Sequence, residues 1–210
     1  NVEGQEDCLY LNVYAPEVPH SEGKQYSVMV FFHGGSFLSG SGGVSDFGPD
    51  YMVDADVILV TGNYRLGILG FLSTEDEHSS GNFGLKDQVA ILKWVQQNIE
   101  HFHGNKSSVT IFGESAGGAS VNYHMISSMS RGLFHRAISQ SGTLMSFWGD
   151  PELRGEARRK ARDVADYLSC PEIEDTKSVV ECLREADAEK LVLTHQNLFV
   201  SFSIKKFEIF

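Results

Sequence analysis

The sequence predicts an α/β fold with a mostly parallel central sheet flanked by helices, and three features carry this prediction. Residues 27–32 and 56–61 are short, nearly continuous apolar runs, typical of strands buried on both faces. From Gly84 to Phe102, apolar residues recur at helical spacing. Residues 108–112 form a third apolar, β-branched run, and a helical pattern follows it. Strands that alternate with helices favour a parallel sheet.

The other segments extend this pattern. Residues 8–14 alternate apolar and polar side chains like a half-buried strand, and residues 133–140 are predicted as another strand. Residues 73–81 are acidic and polar and are predicted to form a loop. Asp150 and Pro151 combine a helix cap with proline at the first helical position, which predicts a helix start. Short helices are predicted at 177–186 and 188–193.

Composition limits the class of protein. The chain has 210 residues, of which 41% are hydrophobic and 21% are charged, as in a globular protein that buries a core. The formal net charge of −11 argues against nucleic acid as a partner. No apolar run is long enough to span a bilayer, so no membrane segment is predicted in this piece.

The chain has three cysteines, an odd count. The simplest pairing joins Cys170 to Cys182, which closes a short polar loop and contributes about 3 kcal/mol in the chain-entropy model. Cys8 is then either a free thiol or the partner of a cysteine in a segment before Asn1. Because the chain also lacks an initiator methionine and an apolar leader, we expect a missing upstream segment.

The triplet at residues 105–107, Asn-Lys-Ser, is an acceptor pattern for N-glycosylation in a predicted loop. Such triplets are also common by chance. With Asn105 as the acceptor, the pattern fits a secreted protein or one that passes through the secretory pathway.

The pentapeptide at residues 113–117, Gly-Glu-Ser-Ala-Gly, lies between a predicted strand and a predicted helix. A serine between two glycines at such a turn is the arrangement of a nucleophile elbow. Ser115 would then project its hydroxyl at a helix N-terminus, where the dipole favours the anion that forms. The alternative is a glycine-rich turn with a surface serine. Attack of Ser115 on an ester or amide is therefore a hypothesis that needs the rest of the chain.

A second glycine-rich segment supports the hypothesis. Gly34, Gly35 and Ser36 directly follow the first buried strand, where this architecture places the backbone N–H groups of an oxyanion hole. The remaining donor would be the N–H of Ala116, after the nucleophile. A tight turn would explain the triplet equally well alone, but its pairing with an elbow one α/β unit later favours the oxyanion interpretation.

Six ordered segments match one known family, at residues 6–12, 33–37, 63–67, 84–88, 112–118 and 132–138. Through them the chain, from about Asp7 to Trp148, resembles the type-B carboxylesterase and cholinesterase family of α/β-hydrolases, and most of all insect-type carboxylesterases. The resemblance implies an α/β-hydrolase fold and a serine esterase that acts on a small-molecule ester without cofactor or metal. The 210 residues would form part of one such domain, without its beginning and its C-terminal half.

The resemblance also implies roles for single residues. Ser115 would be the nucleophile, and the N–H groups of Gly35, Ser36 and Ala116 would form the oxyanion hole, with Gly34 shaping the loop. The family usually has glycine where Ser36 stands, so the serine side chain would intrude on the cavity. The remaining roles are a substrate pocket that includes Glu114, Ser141 and Trp148, a pairing of Cys8 with an upstream cysteine, and a loop disulfide between Cys170 and Cys182.

The alternatives concern Trp148 and the reaction itself. Trp148 would also fit an ordinary core position. A cholinesterase-like adhesion or binding protein would keep the fold without catalysis, but such proteins typically lose the elbow serine. A choline-specific esterase is a narrower alternative.

The catalytic acid and histidine of the family lie well beyond the elbow, past residue 210. His124, His135 and His195 follow Ser115 without a supporting motif, and His33 belongs to the oxyanion loop, so all four are interpreted as structural. The piece alone is therefore expected to be nearly inactive.

Two charged residues stand in otherwise apolar segments. Arg65 and Asp87 are predicted to form a buried ion pair that is structural rather than catalytic.

Overall fold

The computed structural model describes residues 2–17, 23–145 and 154–198, with the side chains of residues 195–198 left out. These residues form two compact units. The larger unit contains residues 9–17, 23–64 and 85–145. The smaller unit contains residues 2–8, 65–84 and 154–198.

A five-stranded sheet forms the centre of the larger unit. Its strands are β1 (Leu11–Tyr14), β2 (Tyr26–Phe32), β3 (Val57–Gly62), β6 (Gly104–Glu114) and β7 (Arg136–Gln140). They lie in the order β1-β3-β2-β6-β7. β2 pairs in parallel with β3 and β6, and β7 pairs in parallel with β6, whereas β1 is antiparallel to β3. The predicted α/β architecture with a mostly parallel sheet is thus confirmed.

The helices of the larger unit are α1 (Asp50–Asp54), α4 (Ala116–Ile126) and, from its third residue, α3 (Phe83–Asn98), which continues into a 3-10 helix at Ile99–Phe102. Of these, α3 and α4 bury apolar side chains against the strands, whereas no residue of α1 is buried. Val28, Val30 and Phe32 of β2 are fully buried in the resulting core. The side chains that α3 contributes to this core are Ile91, Leu92 and Val95.

The smaller unit consists of short helices around a separate core. The helices are α2 (Gly67–Phe71), α5 (Glu156–Tyr167), α6 (Thr176–Glu185) and α7 (Ala188–Leu198). Ile68, Val164 and Val179 are buried together in that core. The predicted disulfide between Cys170 and Cys182 is present. Cys8 forms no disulfide within the described part of the chain, and its upstream partner stays a prediction.

The segment at residues 73–81 is a β-hairpin, so the predicted loop was wrong. β4 (Ser73–Asp76) pairs antiparallel with β5 (Ser79–Ser80). Glu75 adopts a positive φ of 60°, and its carboxylate accepts the N–H groups of Gly155 at 2.8 Å and Ala157 at 3.2 Å. The hairpin therefore caps the start of α5, which is an interaction that local sequence does not reveal.

Several predicted boundaries moved. The helix predicted to start at Asp150 and Pro151 starts at Glu156, while residues 150 and 151 lie outside the described residues. The elbow strand is longer than predicted at both ends, since β6 has 11 residues.

Arg65 and Asp87 are both half-buried rather than buried, and their pairing stays a prediction. Among the described helices, none is long and apolar enough to cross a membrane.

The cap on α5 provides a stability test. Replacing Glu75 with alanine removes the acceptor of the Gly155 and Ala157 N–H groups. We expect the free energy of unfolding to fall by about 1 kcal/mol, the usual effect of a lost helix cap. The measurement is denaturant unfolding of the full-length protein. Glu77→Ala, a neighbouring change at an exposed carboxylate, is the control and should leave stability unchanged; equal stability of both variants would contradict the capping role.

Candidate active site

Ser115 lies at the turn between β6 and α4, as the sequence predicts. It adopts φ 55° and ψ −118°, a sparsely populated region for a residue with a side chain. Its N–H donates to the carbonyl oxygen of Gln140 at 2.9 Å, and its carbonyl oxygen accepts the N–H of Ala119 at 3.0 Å. The backbone of Ser115 is therefore fixed on both sides, and the residue directly precedes the first residue of α4.

Glycines make this turn possible because other backbone segments pass very close to it. A Cβ atom at Gly117 would lie 1.9 Å from the carbonyl oxygen of Phe32, and one at Gly113 would lie 2.6 Å from the same atom. A Cβ atom at Gly142 would lie 1.9 Å from the carbonyl oxygen of Ser115. Even an alanine would force the backbone apart at these positions, so the glycines are required by contact.

The glycine-rich loop after β2 lies against the elbow. A Cβ atom at Gly34 would be 2.9 Å from the carbonyl oxygen of Glu114 and 3.2 Å from Cβ of Ser115. Gly35 adopts φ 102°, and a Cβ atom there would be 2.1 Å from the carbonyl oxygen of Ser39. The structure thus brings together the two segments that the sequence predicts to form one site.

Two aromatic rings hold the start of this loop. The rings of His33 and Tyr64 are stacked with their centroids 4.3 Å apart, and the Tyr64 hydroxyl donates to the carbonyl oxygen of His33 at 2.7 Å. Nδ1 of His33 lies 2.8 Å from the carbonyl oxygen of Gly34, so Nδ1 carries the proton and donates. Burial lowers the pKa of His33 and raises the pKa of Tyr64, so both stay neutral near pH 7.

The far end of the loop is held by β1 and β3. The carbonyl oxygen of Gly42 accepts from the Thr61 hydroxyl at 2.6 Å and from the Asn12 amide at 3.1 Å. The N–H of Gly42 donates to the side chain of Asn63 at 2.9 Å. The loop is therefore attached to the sheet at both of its ends.

The three N–H groups that the sequence predicts as oxyanion donors belong to Gly35, Ser36 and Ala116. None of the three donates to another atom of the described residues. Ser36 is exposed and has a positive φ of 57°. Donors without a protein acceptor beside a serine are suited to bind a negatively charged oxygen.

The predicted pocket residues are only partly covered by the structure. Glu114 is exposed next to Ser115, and its Oε2 would lie 3.1 Å from a Cβ atom at Gly34. Ser141 is exposed, has a positive φ of 53°, and follows the Gln140 carbonyl that binds Ser115. Trp148 lies outside the described residues.

The histidines that follow Ser115 and whose side chains are described have other hydrogen-bond partners. Nε2 of His124 bonds to Gln88 at 2.8 Å and Nδ1 to Ser130 at 2.7 Å, and burial lowers the pKa of His124 to about 3. Nδ1 of His135 accepts the N–H of Val109 at 3.3 Å. The hydroxyl of Ser115 forms no hydrogen bond within the described part of the chain.

The sequence did not reveal several residues that shape the site. Tyr64 lies in a segment with family resemblance, but nothing local indicates that its hydroxyl binds the loop. The sequence after Gln140 gave no reason to single out Gly142, although a Cβ atom at this residue would lie 1.9 Å from the carbonyl oxygen of Ser115. Within the described residues, His, Cys, Asp and Glu side chains form no group of three that could hold a metal ion.

Comparison with known proteins gives the relationship of the chain. The model of the carboxylesterase family matches residues 1–210. The chain is 53% identical over 206 residues to juvenile hormone esterase of Tribolium castaneum, which is 97% of this chain and 34% of that protein. It is 47% identical over 197 residues to esterase E4 of Myzus persicae, covering 92% of this chain and 35% of that protein.

A mammalian relative shows similar values. The chain is 48% identical over 189 residues to acylcarnitine hydrolase of Mus musculus, covering 90% of this chain and 33% of that protein. The chain thus spans about a third of the length of the curated relatives it matches. The family match along the whole chain, the strained serine and the glycine loop beside it lead to one conclusion: the chain belongs to the carboxylesterase family.

Proposed function

We propose that the full protein is a carboxylic-ester hydrolase in which Ser115 forms an acyl-enzyme intermediate. The observation that carries the proposal is the closeness of the glycine loop to the elbow, where a Cβ atom at Gly34 would lie 3.2 Å from Cβ of Ser115. Family membership supports ester hydrolysis as the reaction class. The substrate would be a small carboxylic ester.

In the proposed reaction, the hydroxyl oxygen of Ser115 attacks the carbonyl carbon of the ester. The carbonyl oxygen becomes an oxyanion that accepts hydrogen bonds from the N–H groups of Gly35, Ser36 and Ala116. The C–O bond then breaks, and the alcohol leaves with the proton that came from Ser115. Water hydrolyses the acyl-serine through a second oxyanion and restores the hydroxyl.

A base must take the proton from Ser115 and return it to the alcohol. We propose that this base, and the acid that orients it, belong to the part of the full protein that this chain does not include. The described histidines that follow Ser115 support this proposal, because both ring nitrogens of His124 and Nδ1 of His135 have other partners. The chain alone would then bind an ester poorly and turn it over very slowly.

The intact elbow favours catalysis over a purely adhesive role. A non-catalytic relative would have no need for the conformation of Ser115, which costs about 1–3 kcal/mol and persists only where surrounding structure holds it. The glycines at 113, 117 and 142 supply that support.

We also propose that the protein passes through the secretory pathway. The disulfide between Cys170 and Cys182 supports this, since disulfides form and persist in oxidising compartments. Residues 105–107 lie in β6, so the predicted loop at this triplet was wrong. Asn105 is half-buried, and its Oδ1 accepts the N–H of Ser107 at 2.9 Å. A glycan on Asn105 would lie about 30 Å from Ser115 along the strand, clear of the site.

The role of Ser115 is tested on the full-length protein with a fluorophosphonate probe. We expect the probe to label Ser115, detected by peptide mass spectrometry, and Ser115→Ala to lose at least about 10³-fold in kcat. Ser45→Ala, a change at an exposed serine, should keep both labelling and turnover. A protein that turns over esters equally well without the Ser115 hydroxyl would refute the mechanism. Absence of labelling in the wild type would favour the adhesive alternative.

The oxyanion loop is tested by a pair of substitutions that each change one Cβ atom. Gly35→Ala places a Cβ 2.1 Å from the carbonyl oxygen of Ser39, so the loop must move, and we expect kcat to fall by about 10²-fold or more. Ser36→Gly keeps the N–H and suits the positive φ, so kcat should stay within about twofold. Steady-state kinetics on a nitrophenyl ester gives both values, and a Gly35→Ala variant with normal kcat would exclude this loop from the site.

Glycosylation of Asn105 is tested by secreting the full-length protein from eukaryotic cells. We expect an N-glycosidase to reduce the mass of the peptide that contains Asn105 by one glycan. Asn105→Gln and Ser107→Ala should each abolish the glycan, because both residues belong to the acceptor triplet. Ser108→Ala is the matched control, one residue outside the triplet, and should keep it. An unmodified Asn105 in the secreted wild type would contradict the assignment.

A further inference from the structure

A buried polar network of hydrogen-bonded side chains ends at Ala116, the first residue of α4. It runs from Ser130 to His124 at 2.7 Å, from His124 to Gln88 at 2.8 Å, and from Gln88 to Ser120 at 3.1 Å. The hydroxyl of Ser120 then lies 3.0 Å from the carbonyl oxygen of Ala116. All four side chains are at most 1% exposed. The network does not include the Ser115 hydroxyl, and the proposed reaction makes no direct use of the network.

The carbonyl at the end fixes the direction of every hydrogen bond. The Ala116 carbonyl only accepts, so the Ser120 hydroxyl donates to it and accepts from the Gln88 amide. The Gln88 oxygen then accepts from Nε2–H of His124, which leaves Nδ1 of His124 to accept the Ser130 hydroxyl. His124 is thus held as one neutral tautomer, in agreement with the burial that lowers its pKa.

The network joins α4 to α3, and the ring of one of its members packs against β2. Gln88 lies on α3, whereas Ser120, His124 and Ala116 lie on α4. The ring of His124 packs with its centroid 5.1 Å from the ring of Phe32, the last residue of β2 before the oxyanion loop. A shift in the first turn of α4 would break hydrogen bonds between side chains that are buried from solvent.

Ala116 is the residue that links this network to the proposed reaction. Its N–H is a proposed oxyanion donor, and it follows the strained Ser115. The orientation of an oxyanion donor matters because its hydrogen bond strengthens only when charge develops in the transition state. A device that fixes Ala116 from inside the protein would therefore affect turnover more than substrate binding.

We propose that Ser120, Gln88 and His124 are positioning residues for the reaction at Ser115, which they serve by fixing Ala116 from the buried side. The proposal rests on the proposed esterase function. It differs from a purely structural role, in which the same hydrogen bonds would only hold α3 against α4.

The test compares two variants of the full-length protein that each delete one buried hydroxyl bonded to a helical carbonyl. Ser120→Ala removes the bond to Ala116, and Thr194→Val removes the 2.7 Å bond to Leu191 in the smaller unit. Active sites are counted by fluorophosphonate titration, and kcat is expressed per titrated site. For Ser120→Ala we expect kcat to fall about 10-fold with KM within twofold, whereas Thr194→Val keeps both constants.

Ser130→Ala, at the end of the buried polar network farthest from Ala116, is the second variant should Ser120→Ala fail to fold. It should lower kcat per site about threefold. A kcat per site within twofold of wild type in the folded variants overturns the positioning role and leaves the esterase function standing. An equal fall in Thr194→Val also overturns it, because general destabilisation would explain both. A wild-type protein that the probe does not label overturns both proposals.

Discussion

Two backbone contacts hold Ser115 in its conformation. The carbonyl oxygen of Phe32 lies where a Cβ of residue 117 would be, and the carbonyl oxygen of Ser115 lies where a Cβ of residue 142 would be, each at 1.9 Å. Only glycine permits such approaches, so these positions bring strand end, elbow and following turn into direct backbone contact. The hydrogen bonds from Ser115 to Gln140 and from Ala119 to Ser115 then fix the direction of the turn.

The order of the strands places the glycine loop beside the turn at Ser115. β2 and β6 are neighbours and run in parallel, so the segments that follow them lie at the same edge of the sheet. The register pairs Phe32 with Gly113, which places the glycine loop directly beside the elbow. About 80 residues separate the two segments along the chain, yet the pairing of two buried strands determines their contact.

The central strands and the turn at Ser115 were predictable because their signals are local. The apolar runs at residues 27–32 and 108–112 identify strands, and the glycine-flanked Ser115 identifies the turn. The β4–β5 hairpin was not predictable, because its polar residues show no alternation and Glu75 finds its partner 80 residues away at Gly155. The predicted helix start at residues 150–151 was wrong for a related reason. α5 starts at Glu156, where Glu75 of the hairpin accepts the N–H groups of Gly155 and Ala157.

Strain in the glycine-rich loop after β2 must be balanced by contacts behind it. Ser36 has a positive φ, as Ser115 and Ser141 do, so the loop holds its shape against the preference of a side chain. The hydrogen bonds from His33 to Gly34 and from Tyr64 to His33 supply this support. Because burial lowers the pKa of His33 and raises that of Tyr64, both anchors are neutral at pH 7. The support of the glycine loop at that pH therefore comes from hydrogen bonds between neutral groups and from ring stacking.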